Sequence, residues 1–125
     1  MATRVLPLSP TVARTPGDPC CDGDARPSMT MLEAARATAD LEILAHPIRM
    51  QLLDLLARNE GTVCVCDLEA AVPVKQPTVS HHLKLLREAG LVQSEKRGLY
   101  AYYRVDRGAL AGLRTRITER LAAFG

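Results

Sequence analysis

Cys64 and Cys66 stand two residues apart in EGTVCVCDLEAAV, residues 60–72, and they are two of only four cysteines in a chain of 125. Side chains at i and i+2 leave an extended segment on the same side, whereas inside a helix they diverge. The pair therefore converges on one ion if Cys64 precedes the short helix expected over about 67–72 and Cys66 sits at its first turn. A helix N-terminus favours thiolate, so the spacing also predicts a lowered pKa for Cys66. Thiolates select soft ions over Mg2+, Ca2+ or Mn2+. Two of them are too few for a tight, selective site, and the remaining sulfurs are Cys20 and Cys21, adjacent to each other near the N-terminus. Two other readings stay open. Cys64 could be a small buried hydrophobe and Cys20–Cys21 an unreactive pair. Alternatively, Cys64 or Cys66 could form a disulfide with the N-terminal pair and act as a redox switch. No histidine follows His82, and no Cys/His spacing suits a structural zinc.

A second constellation lies in KQPTVSHHLKLLREAGLV, residues 75–92. A helix over about 76–89 places Val79, Leu83 and Leu86, followed by Leu91, toward a core. Short hydrogen-bonding side chains occupy the other face. A major-groove reader needs this arrangement, because a helix fits the groove and residues near its N-terminus reach base edges. Gln76, Thr78, Ser80, His81 and Lys84 are the candidates, while His82 belongs to the core. Gln pairs with adenine, and Ser or Thr serves base edges or phosphates. Lys96 and Arg97, at the tip of an expected hairpin, suit phosphate or the minor groove. Residues 75–104 carry six Lys/Arg against two acids, whereas the rest of the chain is net acidic. Such local basic charge is the footprint of a polyanion partner.

The elements that position these residues follow from caps and periodicity. Thr30 and Glu33 have capping-box spacing, so a first helix starts near Met31, with Leu32, Ala35, Ala39 and Ile43 as its apolar stripe. Pro47 opens a second helix, whose face is Ile48, Leu52, Leu55 and Leu56. Pro77 and Gly90 bracket the reading helix. Two strands, LVQSEK and LYAYYRV, turn at Arg97–Gly98, with Leu99, Ala101, Tyr103 and Val105 on one face and Tyr100, Tyr102 and Arg104 on the other. Asp106 caps a last helix whose stripe is Leu110, Leu113, Ile117, Leu121 and Phe124. A short helix, a turn, a longer helix and a hairpin make a winged helix-turn-helix, so the fold class is α+β and mostly helical.

Residues 1–28 hold five of the eight prolines and show no periodicity, which predicts a mobile arm ahead of one domain over 29–125. No apolar run approaches a membrane span, and the N-terminus lacks the apolar stretch of a signal peptide. The cysteines are accordingly expected to be reduced thiols in the cytoplasm. An enzyme is not expected. There is no nucleophile with a base at informative spacing, no Gly-rich phosphate loop and no paired acids. A soft-metal carrier would explain the thiols, but it would need neither the basic 75–104 segment nor the polar reading face.

LAHPIRMQLLDLL, VCVCDLEAAV, QPTVSHHLKLLREAGLV and RGLYAYYRV, in this order and spacing, resemble the ArsR/SmtB family of metal-sensing repressors over about residues 30–124. The resemblance implies a winged-helix homodimer paired through its first and last helices. It implies operator DNA as the partner and release when an inducer binds. CVCDL resembles the thiol site of the arsenic-sensing members, in which a further cysteine follows the leucine, but here Glu69 stands at that position. Cadmium- and lead-sensing members combine arm cysteines with CVC, and some arsenic-sensing members carry an adjacent pair in the arm. As(III) bonds three sulfurs in a pyramid, with Sb(III) a close analogue. The preferred set is therefore Cys64, Cys66 and one of Cys20 or Cys21. All four cysteines together would suit Cd(II) or Pb(II) better.

Overall fold

The computed structural model describes residues 16–17 and 26–125, so Cys20, Cys21 and most of the expected arm lie outside the described residues. The first helix, α1, is Met31–Glu42. It starts where the capping box requires: the Thr30 hydroxyl accepts from the Glu33 N–H at 3.1 Å, and the Glu33 carboxylate accepts from the Thr30 N–H at 2.7 Å. The Thr30 backbone N–H foremost, and then the Thr30 hydroxyl, hold the Glu33 carboxyl below its ordinary pKa.

The second helix, α2, is Pro47–Arg58; Pro47 costs no hydrogen bond at the first turn, and the His46 ring accepts from the Ile48 N–H at 3.1 Å. At its other end Arg107 donates to the carbonyls of Ala57 and Asn59, at 3.0 and 3.1 Å. A two-residue strand, β1 (Val63–Cys64), leads directly into α3 (Val65–Ala71). Residues 72–75 then turn into α4, Gln76–Glu88.

Helix α4 ends in a Schellman motif. The Gly90 N–H donates to the Arg87 carbonyl at 2.9 Å and the Leu91 N–H to the Leu86 carbonyl at 3.0 Å, with Gly90 at φ +79°. That φ is accessible to glycine without the steric cost a Cβ would bring. The hairpin consists of β2 (Val92–Arg97) and β3 (Tyr100–Val105), and α5 (Arg107–Ala122) closes the chain, capped by the Asp106 carboxylate on the Ala109 N–H at 2.9 Å.

One core joins these elements. Leu52 and Leu56 from α2, Leu68 from α3, Val79, Leu83 and Leu86 from α4, and Val92 from β2 are fully buried, with Val105 and Leu113 sealing the edge. The aliphatic periodicity of α2 and α4 thus builds the core as expected, and it docks α4 with its polar face outward.

Three local expectations are corrected. The hairpin belongs to a three-stranded antiparallel sheet in the order β1-β3-β2, because β1 pairs Val63 with Tyr103 and Cys64 with Tyr102. Helix α3 begins at Val65 rather than Asp67, since Cys64 ends the strand and serves as the helix N-cap. The hairpin turn falls at Gly98–Leu99, one residue later than expected, which removes Leu99 from the strand face and leaves it 93% exposed.

The largest difference concerns α1. Its Leu32, Ala35 and Ala39 are exposed, and the half-buried positions toward α5 are Ala34, Ala37 and Asp40. Asp40 receives both Nε and Nη2 of Arg116 from α5, at 3.0 and 3.1 Å, which fixes the two helices side by side. The neighbouring helix and this bidentate pair mark the side that turns inward. Met31, Leu32, Leu121 and Phe124 are left on the outside.

Candidate nucleic-acid interface and thiol site

Helices α3 and α4 form the helix-turn-helix, with α4 presenting one polar side. Gln76, Thr78, Ser80, His81 and Lys84 are all exposed there, whereas Val79, His82, Leu83 and Leu86 are buried. Lys75, exposed at the N-cap position of α4, adds a cation at the end nearest Gln76. Lys84 lies 3.9 Å from Glu88, an exposed pair of the kind that contributes little and leaves the ammonium able to swing away.

His82 stays within the core at 5% exposure. Its Nδ1 accepts from Arg49 Nη1 at 3.1 Å, and its ring centroid lies 4.2 Å from that of His46. Burial, followed by the nearby His46 and the Arg49 guanidinium, pushes the His82 pKa below the ordinary histidine value. The neutral ring is what Arg49 requires, since a doubly protonated imidazole has no acceptor. The unfolded chain therefore takes up a proton at a pH where the folded one does not. The stability this group contributes is full above the unfolded pKa of about 6.5 and is lost as pH falls from there through the lowered folded pKa. Thermal unfolding between about pH 7.5 and 5 should show Tm falling with pH, and His82→Gln should flatten that part of the slope.

The wing ends in the two cations expected there, both exposed. The Arg97 guanidinium lies over the Tyr102 ring, 4.9 Å from its centroid, and its Nη2 is 3.1 Å from Glu95 Oε2. Arg87 of α4 reaches the Ser94 hydroxyl of β2 at 3.4 Å and ties the helix to the wing.

The thiol pair sits where β1 becomes α3. Cys64 has φ −63° and ψ 140°, extended, while Cys66 is in the first turn of α3, and the two sulfurs are 2.6 Å apart. Cys64 is half-buried and Cys66 exposed, and both are free thiols. A soft ion can therefore reach both sulfurs at once from solvent.

The expected lowering of the Cys66 pKa is not found. Its thiol is pushed up, first by the hydrogen bond to Cys64, then by burial and by the charges of Cys64 and Asp67, against the lowering by the Asp67 backbone N–H. A seven-residue helix has a short dipole, and a second sulfur in contact makes the second ionisation harder. Metal binding by the pair must therefore displace protons and weaken as pH falls.

Among the described residues no three His, Cys, Asp or Glu side chains cluster as ligands. Glu69, three residues after Cys66 on the same helix, is half-buried, and its buried Oε1 has no hydrogen-bond partner. Lys75 and Tyr102 are not among the expected site residues. Lys75 carried a signal, as the last residue before the reading helix. Tyr102 carried none, because its place opposite Cys64 depends on β1.

A helix-turn-helix whose second helix presents a polar face, flanked by a basic β-hairpin, defines a winged-helix regulator of the DNA-binding class. The chain belongs to the ArsR family of bacterial regulatory proteins, whose pattern matches residues 46–94. It is 35% identical over 97 residues to a transcriptional repressor SmtB homolog of a Synechocystis species, covering 77% of this chain and 72% of that one. It is 44% identical over 65 residues to the arsenical resistance operon repressor of Escherichia coli K12, covering 52% of this chain and 55% of that one. Among solved structures, the AntR antimony-specific transcriptional repressor superposes with a TM-score of 0.57 at 32% identity, covering 79% of this chain and 89% of that one. The chain is accordingly a transcriptional regulator rather than an enzyme, and among its described residues no helix is long and apolar enough to cross a membrane.

Proposed function

We propose that this chain is a cytoplasmic homodimeric repressor that holds operator DNA through α4 and the wing and leaves it when As(III) or Sb(III) is bound by cysteine thiolates. The observation that carries this reading is the convergence of Cys64 and Cys66, 2.6 Å apart, on the first helix of the DNA-reading motif. The arsenical and antimony specificities of its relatives support a metalloid inducer. The ligands are Cys64, Cys66 and one of Cys20 or Cys21, supplied by the arm over residues 1–28. An ion there shifts the short α3, and with it α4 docked against it. The bound form releases DNA only by as much as it fits DNA worse than the free form.

Titrating a protein–promoter complex separately with arsenite and with Cd(II) tests the inducer. Release at much lower arsenite concentration supports three thiolates. Release by Cd(II) alone moves all four cysteines into one Cd(II)/Pb(II) site. Release only by oxidant makes the thiols a redox switch.

The arm has its own test. The double change Cys20→Ser, Cys21→Ser should raise the arsenite needed for release at least about tenfold, because two sulfurs replace three. Adding Glu69→Cys should restore the response, since a thiol at i+3 shares the helix face of Cys66 and the substitution removes an unpaired buried carboxylate oxygen. Competition titration in a release assay reads both variants.

The contacts of the wing and the helix divide by kind. Lys84→Ala and Lys96→Ala should each weaken binding to every duplex about equally and lower the slope of log K against log salt by about two, one phosphate contact for each subunit of the dimer. Gln76→Ala should instead relax preference at one base pair, at a cost of about 1–3 kcal/mol.

A further inference from the structure

The sheet places the thiol pair in line with the wing tip. Directly opposed residues of an antiparallel pair share one face. Tyr102 is opposite Cys64 on one side and opposite Glu95 on the other, so Cys64, Tyr102 and Glu95 form a single row across β1, β3 and β2. Arg97, two residues beyond Glu95 and therefore on the same face, lies with its guanidinium 4.9 Å from the Tyr102 ring centroid and 3.1 Å from Glu95. A shallow recess of about 240 Å³ on this face is lined by Thr62, Gln93, Glu95, Tyr102 and Arg104. Strand β1 has only two residues, and the other, Val63, is a buried core residue. Val63 anchors the strand in the core, and Cys64, half-buried, leads from it into α3.

We propose that Tyr102 is the positioning residue through which occupancy of the Cys64–Cys66 pair is transmitted to Arg97 at the wing tip. This rests on the reading of the thiols given above and extends it from α3 and α4 to the wing. An ion drawn between the two sulfurs turns the Cys64 side chain and changes what lies beside the Tyr102 ring. That ring and Glu95 together hold the Arg97 guanidinium, so a displaced ring changes the direction in which the cation is presented. Release of DNA then comes from the loss of a wing phosphate contact as well as from movement of the reading helix. Phenylalanine at 102 preserves the ring and hence the coupling, whereas alanine removes both the ring and the support of Arg97.

The chain has no Trp, and its three Tyr are residues 100, 102 and 103, all in β3, so intrinsic emission reports on this strand alone. Arsenite added to the DNA-free protein should change the tyrosine emission, and Tyr102→Phe should remove most of that change while keeping the native release of DNA. Tyr102→Ala should bind arsenite with native stoichiometry, measured by thiol protection. Its ratio of DNA affinities, free over arsenite-loaded, should fall by about fivefold or more, and its salt slope by about two, one contact for each wing of the dimer. Arg97→Gln should reproduce both losses and carries the test, together with Tyr102→Phe, if Tyr102→Ala does not fold.

A native affinity ratio in folded Tyr102→Ala, or in Arg97→Gln, overturns the inference and leaves the thiol site standing. An emission change that survives in Tyr102→Phe overturns it as well. If the native protein itself keeps its DNA in arsenite, the reading of the thiols fails and this inference fails with it.

Discussion

Cys64→Ser and Cys66→Ser each leave operator affinity within about twofold of the native value, as expected of small changes outside the core, and each abolishes release by arsenite. The asymmetry between the two measurements is the content of this prediction. Neither sulfur is one of the fully buried groups that hold the core, and neither lies on the reading face of α4. Serine keeps the size of cysteine and the short side chain at the α3 N-cap, so the helix-turn-helix is preserved. It does not keep the chemistry, because a hydroxyl remains protonated at neutral pH and is a hard oxygen donor for which a soft metalloid has little affinity. What disappears is a coupling of about 1–3 kcal/mol, or 5- to 150-fold in DNA affinity between loaded and free protein. Fluorescence anisotropy on a promoter fragment, with and without arsenite, reads both quantities in one titration. A serine variant that still left its DNA at the native arsenite concentration would remove the thiol pair from the site. Because the Cys66 thiol is raised rather than lowered, binding of a bare cation such as Cd(II), which displaces the thiol protons, should need more Cd(II) at pH 6 than at pH 8, whereas arsenite, As(OH)3, takes those protons away as water and its response should change little over the same range.

The second large effect concerns assembly. Leu32→Glu combined with Phe124→Glu should convert the protein to monomers in sedimentation and reduce operator affinity by about 10²- to 10⁴-fold, the advantage of engaging two half-sites through one linked particle. Leu32 of α1 is 60% exposed and Phe124, two residues past the end of α5, is 74% exposed, and the Asp40–Arg116 pair holds those two helices together. A groove of about 540 Å³ runs between these helices, lined by Ala37, Leu41, Ile117, Leu121 and Phe124 among others. Apolar area of this kind contributes roughly 25 cal/mol per Å² once covered, and a second copy of the same face covers it symmetrically. Two carboxylates on each face would have to be buried opposite one another, which is prohibitive without partners. Leu99→Glu is the control: this leucine is more exposed than either of the others, but it lies at the wing turn, so its replacement should leave sedimentation unchanged. Unchanged sedimentation of the double variant would show that the first and last helices do not form the interface.

The parts of this protein that could be read directly from its residues are those governed by neighbours in the chain. Thr30 with Glu33, Pro47, Pro77, Gly90 and Asp106 mark helix ends through bonds that close within a few residues, and each end formed where it was expected or within two positions of it. The aliphatic spacing of α2 and α4 named Ile48, Leu52, Leu56, Val79, Leu83 and Leu86 of the core but took Leu55 for the buried Leu53, and the same spacing predicted the exposed face of Gln76, Thr78, Ser80, His81 and Lys84. The extended-then-helical backbone that lets Cys64 and Cys66 converge was likewise implicit in their separation by one residue.

The tertiary structure decided what depends on groups distant in sequence. Strand β1 is too short for any periodicity, and it exists because Val63 and Cys64 meet Tyr103 and Tyr102 almost forty positions later. That pairing also placed Tyr102 in a row with Cys64, Glu95 and the neighbouring Arg97. The inward face of α1 carries Asp40, which Arg116 of α5 reaches from far along the chain, and the spacing of Leu32, Ala35 and Ala39 does not contain that partner. The raised thiol of Cys66 reflects a sulfur 2.6 Å away outweighing the dipole of a seven-residue helix, a balance of distances that spacing alone does not contain. Local bonds and periodicity are properties of the chain, while pairing partners, packed faces and electrostatic neighbours arise only when the chain is folded.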